Sequence, residues 1–500
     1  MNKRQNLTTG ILLMAAIVVV VNVFSYFYFF RLDLTRDRRY TLSSSTKDIL
    51  SSLKKPVTVT AFYSENSIPL ITRAKSDLKD LLIEYAARSG NKVVFNFINP
   101  NKSDSLEAIA QKNGVNPFPL QVRDKDEMKN VKVYLGAVVK MGDKTEVLPF
   151  IDPGSSLEYL LSNAIKKISI DKKDPIGVLE GNDESALNEM MQMASSVNSL
   201  HALQEVKLDD ATPIPAQYKT IAIVNPKDSF RAGQLNQLDA FLARGGRLLI
   251  AYNGLDPDLR SGTGNLDHIG FSQWLIGKGI MLDNKYLVDH TCGYVGQNLN
   301  GQTIQIPFPY LPMINSFSNH PISKDLHEVM LPFATDIKFV GDSTKEKFTP
   351  LAFSSNYTGL MTPPVKFELN HNWTQREFPY SGLTVAAAIT GVGGSSDSRI
   401  VIIANGDFIV NGSGKQARKV EEDNVNLFSN SIDWLADNTG LIELRGKVVT
   451  YNPIKDVSDR MKLFLKYLNF SLPILLVILY GIIRMQVKKV IRKKRMEEIL

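Results

Sequence analysis

Hydrophobic positions follow two different patterns along this chain: an unbroken apolar run near each end, and between them short apolar stretches alternating with segments of helical spacing. Residues 10–30, GILLMAAIVVVVNVFSYFYFF, carry no formal charge, and at about 1.5 Å per residue such a run crosses a hydrocarbon core roughly 30 Å thick. It is longer than the apolar part of a cleaved leader and lacks a small-x-small cleavage site. The second run, 464–483, is uninterrupted over 470–483, with Pro473 expected to kink or start its helix. Arg484, Lys488, Lys489, Arg492, Lys493, Lys494 and Arg495 follow it, against Glu497 and Glu498, and positive flanks stay cytoplasmic. Arg31, Arg36, Arg38 and Arg39 flank the outer end of the first run, so the C-terminal tail decides the orientation. Two spans then put both termini in the cytoplasm and a large region outside an inner membrane, with the lipid bilayer as the first partner.

After the first run, Thr41 or Ser43 is placed to cap a helix carrying Ile49, Leu50 and Leu53, ended by residues 54–56. Residues 57–63 read as a strand, 70–88 as a helix through Leu70, Ala74, Leu78, Leu81, Leu82 and Tyr85, and 93–98 as a second strand. A helix at 104–113, the turn GVNPFPLQV and a hairpin from 131–141 to 145–150 complete the unit. This order resembles the thioredoxin fold, with Pro119 where that fold places a cis-proline. Its cysteine pair is absent, which excludes dithiol redox chemistry. From residue 155 the pattern restarts: helix 155–168, strand 176–181, helix 184–200, strand 220–226, helix 231–244, strand 247–252. Strands at 383–390 and 399–410 and a helix at 424–437 close the region and are expected to join the same sheet. Between them, 253–380 is rich in Gly, Pro and Asn and reads as loops with short elements.

The alternation predicts an α/β chain whose larger part is a mainly parallel, flavodoxin- or amidotransferase-like sheet with helices on both faces. The expected organisation is a cytoplasmic tail (1–9), a transmembrane helix (10–30), a juxtamembrane segment with the thioredoxin-like domain (31–151), the larger α/β domain (152–446), a linker (447–463), a second transmembrane helix (464–483) and a basic cytoplasmic tail (484–500).

Composition sharpens the picture at three points. Five hundred residues, 44% hydrophobic and 22% charged, exclude global disorder and collagen-like repetition. The net charge of +7 comes from the tails: seven cations less two anions after residue 483, plus Lys3 and Arg4, leave zero over 5–483. No excess of positive charge marks a nucleic-acid surface. The single cysteine, Cys292, allows neither an internal disulfide nor a multi-cysteine zinc site.

Open parallel sheets bind ligands at the carboxyl ends of their strands, so EGNDES at 180–185, NPKDS at 225–229 and NGD at 405–407 are the candidates. Glu180, Asp183 and Glu184 form an acidic cluster suited to acid/base or metal chemistry, although Asn, Asp and Ser also cap the helices that follow such strands. NGSGKQ at 411–416 has Ile409 in place of the first phosphate-loop glycine and Gln416 in place of the Ser/Thr. GVGGSS at 391–396 joins two strands; both read as turns, and no cofactor is expected. Six scattered histidines come with no G-x-S-x-G elbow and no HExxH. Cys292 stands between Thr291 and Gly293, with His290 two residues before it. No catalytic or metal-binding set emerges.

Immediately after the first apolar run, RLDLTRDRRYTLSSSTKDIL resembles the opening of the GldG-like auxiliary proteins of ABC-2 type transporters, the gliding-motility type. GVLEGNDE (177–184), NQLDAFLARGGRLLI (236–250), RIVIIANGDFIVN (399–411) and NLFSNSIDWLAD (426–437) are similar to further blocks of that family, in the same order. The resemblance implies a non-enzymatic accessory subunit that binds or scaffolds partners outside the membrane, beside a permease and an ATPase supplied by separate chains. Asp33, Thr35, Tyr40 and Thr41, next to the first run, are the expected permease contact. The alternative is a membrane-tethered solute-binding protein or hydrolase using Glu180, Asp183, Asn225 and Asp407 at the strand ends.

Overall fold

A computed structural model describes residues 12–20, 22, 41–65, 68–124, 127–299, 302–414, 417–446 and 458–497. The chain divides into two units, Met1–Val448 and Val449–Leu500, and the mixed α/β character read from the alternation is what the first unit shows.

Helix α1 (Ser44–Ser52) is started by Ser43, whose hydroxyl accepts the Thr46 amide at 3.2 Å. Then come β1 (Val57–Tyr63), α2 (Pro69–Arg88), β2 (Val93–Ile98), α3 (Asp104–Lys112), β3 (Phe118–Asp124), β4 (Glu127–Val133), β5 (Leu135–Met141) and β6 (Lys144–Leu148). The small sheet runs β2-β1-β5-β6, with β1 parallel to β2 and the other pairs antiparallel. One face, Val57, Val59, Ala61 and Tyr63, packs under Ile71, Leu78, Leu82 and Tyr85 of α2, the i, i+7, i+11, i+14 stripe of an amphipathic helix. The stretch GVNPFPLQV is not only a turn: its second half is β3, paired with β4. Proline is tolerated there because β3 and β4 form a separate two-stranded ribbon with free outer edges. Pro119 lies in that ribbon opposite Lys132, whereas the cis peptide among the described residues is Pro363–Pro364.

Helix α4 (Leu157–Ser169) places Leu161, Ala164, Ile165 and Ile168 against the small sheet while Tyr159 joins the core of the next one. That second core begins with β7 (Asp174–Glu180), α5 (Met191–Val197), β8 (His201–Lys207), β9 (Thr220–Val224), α6 (Ala232–Ala243), β10 (Arg247–Ala251) and α7 (Phe271–Ile276). Within 253–380 lie β11 (Cys292–Leu299), β12 (Gln302–Ile314), β13 (Ser316–Phe317) and β14 (Lys347–Phe353); β15 (Thr384–Thr390), β16 (Arg399–Ile403) and α8 (Glu422–Ala436) follow. The eight-stranded sheet runs β13-β14-β15-β16-β10-β9-β7-β8. Its five strands from β16 to β8 are parallel, and β13, β14 and β15 add on antiparallel. The strands expected at 383–390 and 399–410 do join it, but the second ends at Ile403.

Strands β9 and β10 are buried at every position. Alternate residues therefore feed two cores: Ala222, Val224, Leu249 and Ala251 meet Leu427, Phe428 and Ile432 of α8, and Ile221, Ile223, Leu248 and Ile250 meet Leu238, Phe241 and Leu242 of α6. At the amino ends of the strands, Arg247 donates to the carbonyls of Leu435 and Asp437 and Arg399 to that of Trp434. Two guanidinium groups thus satisfy the carbonyls that end α8 and oppose its negative pole.

The helix expected over 184–200 is replaced by a 3₁₀ turn (Leu187–Glu189) and the short α5, and the edge strand β8 follows. Two contacts stop a longer helix: the Glu189 carbonyl accepts the amides of Asn411 and Gly412, and the Asn198 side chain accepts the Leu203 amide.

In the second unit, α9 (Asp459–Glu497) is a single helix of 39 residues that carries Pro473 inside it. It thus takes in the end of the expected linker, the whole apolar run and most of the basic tail. One candidate span, Arg460–Arg492, is found among the described residues. Of the first apolar run, residues 12–20 and Asn22 are helical; the remainder lies outside the described residues.

Candidate functional site

In the large sheet the chain passes from β7 outward to β8 and returns to β9 on the other side, so the β7/β9 boundary is where a ligand crevice is expected. The loop after β7 fills it. Asn182, 3% exposed, accepts the amides of Lys227 (3.0 Å) and Asp228 (2.9 Å) at its carbonyl. Its side-chain amide donates to the Ser229 carbonyl at 3.0 Å and exchanges bonds with Gln234. Glu184 accepts the Asn182 amide at 2.7 Å, and burial raises its carboxyl above the ordinary range.

The four strand-end residues are accordingly split. Glu180 is turned toward Glu205 on the edge strand, and burial followed by that neighbouring carboxylate raises its pKa. Asp183 is exposed, at φ 54°. Asn225 and Asp407 are together: Asn225 Nδ2 donates to Asp407 Oδ1 at 2.7 Å. Asn225 sits at φ 53°, a left-handed conformation that asparagine tolerates better than most residues, and Gly406 is needed beside it because a Cβ there would lie 2.6 Å from Asn225 Cβ.

Asp407 opens onto a cleft of about 940 Å³ between the carboxyl edge of the sheet and the 253–380 region. Phe308, Leu311, Met330, Pro332, Phe333 and Phe367 supply its apolar wall, with Leu259 and Tyr294 exposed at the rim. The rings interlock, Phe333 to Phe367 at 5.0 Å and Phe308 to Phe333 at 6.3 Å, and Tyr310 meets Phe367 at 4.9 Å from behind.

Asparagines at the ends of core elements hold this wall on the sheet. Asn253, after β10, donates to the Phe333 carbonyl at 3.0 Å, and Asn405, after β16, donates to that of Pro332. Asn424 of α8 exchanges bonds with Met330 and donates to the Phe408 carbonyl. Val410, Gly412, Ser413 and Arg418 also line the cleft, and Asn411 is bonded to Gln192 and to the Arg418 carbonyl. Burial raises the Asp407 carboxyl, and the cations Lys227 and Arg418 oppose the shift. The Arg418 side chain is exposed, lines the cleft and makes no hydrogen bond or ion pair among the described residues.

Among the described residues the reactive groups named from the sequence are not brought together. Burial raises the Cys292 thiol, and His290 stands against Tyr357 and Phe378 instead. His201 pairs with Asp433 at 3.0 Å and His371 with Glu377 at 2.6 Å. Among the described residues no group of three or more His, Cys, Asp or Glu side chains is disposed to hold a metal. Asp33, Thr35 and Tyr40 lie outside the described residues, and Thr41 is exposed two residues before the α1 cap. Sequence reasoning found Asp407 and Asn225 but not the wall. Its signal was the run of aromatics Phe308, Tyr310, Phe333, Phe367 and Trp373 in a region otherwise rich in turn residues.

Residues 173–437 match the family described as "ABC-type uncharacterized transport system", and residues 36–140 match a domain of unknown function. An uncharacterized protein of Borreliella burgdorferi is 23% identical over 377 residues, which cover 73% of this chain and 72% of that one. Among solved structures, the mmIFT52 N-terminal domain gives a TM-score of 0.37 at 14% identity, over 53% of this chain and 98% of its own. A ThuA-like protein from Parabacteroides merdae gives 0.30 at 11%, over 57% and 94%.

Replacing Asn182 by Ala strips several buried groups of their partners and is expected to cost about 1–3 kcal/mol, read as a lower urea midpoint. For Asp407 the raised pKa means that the native state binds its proton more tightly than the unfolded chain does, so stability falls as pH rises through that pKa. Asp407→Asn, which keeps an acceptor for Asn225, is therefore expected to be more stable than the parent at pH 7. The advantage should disappear below about pH 4, where the carboxyl is protonated in both states; urea titrations at the two pH values check this.

Proposed function

The chain belongs to the family described as "ABC-type uncharacterized transport system", and from that premise we propose that it is a membrane-anchored accessory subunit of an ABC-2 type transporter, of the gliding-motility kind. The observation that carries the reading is the coincidence of that family match with α9, a helix long and apolar enough to span a bilayer. Its partners are a permease and an ATPase carried by other chains. The two terminal apolar runs anchor it, both termini are cytoplasmic, and the sheets face the other side. Asp33, Thr35, Tyr40 and Thr41 are the proposed permease contact. The order β2-β1-β5-β6 supports a thioredoxin-like spacer, and five parallel strands covered on both faces support a flavodoxin- or amidotransferase-like domain. The work is binding and not chemistry, in keeping with a β7/β9 crevice closed by Asn182.

A second reading, solute binding at the strand ends, is favoured by the cleft beside Asp407. It uses Asn225 and Asp407 of the four expected residues.

Expressed with its neighbouring transporter subunits and extracted in mild detergent, the chain is expected to co-purify with a permease and an ATPase; recovery of neither would refute the accessory role. Orientation has its own readout. With Cys292→Ser as background, a thiol placed at exposed Lys345 is expected to react with a membrane-impermeant maleimide in intact spheroplasts. Labelling only after lysis would place the sheets in the cytoplasm.

A further inference from the structure

The cleft joins two chemistries that rarely share a wall. Its floor is hydrocarbon and aromatic, with Phe308 and Phe333 buried and Phe367 between them, and its volume of about 940 Å³ is at the upper end for small-molecule sites. At the sheet end, the cations Lys227 and Arg418 act on Asp407, and Arg418 lines the cleft together with Asp407 and one other carboxylate, Glu189. The Arg418 guanidinium presents its donors in a planar fork suited to carboxylate or phosphate. A guanidinium with no hydrogen-bond or ion-pair partner among the described residues, beside a large apolar wall, calls for a ligand with an anionic head and a long apolar body.

We propose that this cleft binds an anionic amphiphile, its hydrocarbon chain against Phe308, Leu311, Phe333 and Phe367 and its carboxylate or phosphate head on Arg418. The proposal rests on the solute-binding reading of the cleft and is independent of the permease contact. Leu259 and Tyr294 stand at the open rim, where an entering chain first meets protein. Ser413 and Arg418, from a stretch that lacks the residues of a nucleotide phosphate loop, form the head-binding end of the cleft.

The test uses the full chain in nanodiscs of zwitterionic lipid, a diazirine-bearing palmitic acid as probe, and peptide mapping of the adducts. Adducts are expected in 294–311 and 330–333 in addition to the lipid-exposed α9. Competition by palmitate and by lysophosphatidate, but not by hexadecylamine, is expected; the stronger of the two anions identifies the head as carboxylate or phosphate. Arg418→Glu should weaken competition by the anions about tenfold, the worth of one charge-assisted hydrogen bond, while Arg418→Lys largely restores it. Val410→Trp, which fills the cleft, should remove the wall adducts and spare those in α9. If that variant does not fold, Leu259→Trp at the exposed rim takes its place. Adducts confined to α9, or unchanged in the cleft-filling variant, would overturn the site and leave transporter co-purification untouched. Equal competition by the amine would overturn the anionic head.

Discussion

A parallel strand buried on both faces has room for polar chemistry only at its ends. Strands β9 and β10 are apolar at nearly every position and covered by α8 on one side and α6 on the other, so all that is distinctive about the large sheet is pushed to its two edges. At the amino edge Arg247 and Arg399 close the end of α8. At the carboxyl edge the strands are followed by Asn182, Asn225, Asn253 and Asn405, each bonded to a neighbouring loop. Asparagine suits the position because one short amide offers both donor and acceptor to backbone that has just left the ladder. The cleft exists because two of these residues hold the 330–333 segment over the sheet, and its polar lining exists because a third partners Asp407.

The small sheet is tied in through α4. Tyr85 reaches the Ser162 hydroxyl at 2.6 Å and the Glu158 carbonyl at 3.0 Å, Thr46 meets the same hydroxyl at 2.9 Å, and the Ser43 amide donates to Glu158 at 2.7 Å. Burial pushes the Tyr85 hydroxyl well above the ordinary tyrosine range, against the opposing hydrogen bonds from Ser162 and Thr46. The helix that carries these acceptors also sends Tyr159 into the larger core, where Arg445 lies over its ring. One helix thus has one face in each hydrophobic core, and it lies outside both family matches.

Strand and helix positions were readable wherever one residue in two or in three to four had to be apolar: 57–63, 93–98 and the strand beginning at 247 appear where the pattern puts them. Reading failed where burial does not follow a period. Strand β8 buries only His201 and Val206, too little to alternate, and β3 contains a proline that only a free ribbon edge permits. Phe408 and Ile409 continue the apolar run of β16 but pack into the core from a loop, because Gly406 and Asn225 turn the chain after Ile403. At the site, the loops were legible and their roles were not. An asparagine that caps a helix, one that touches a ligand and one that holds a backbone carbonyl 73 residues away look alike in sequence; only sheet order separates them.

Helix α9 has a mechanical consequence. Its 39 residues extend about 58 Å at the usual rise, nearly twice the roughly 30 Å of a bilayer's hydrocarbon. As the membrane anchor, it would overhang by some five turns in total, and the overhang at the C-terminal end carries the cluster of lysines and arginines. Tilting such an anchor would swing its C-terminal block of positive charge through an arc at one membrane surface, so that a change of orientation at one end of the helix would become a lateral displacement at the other.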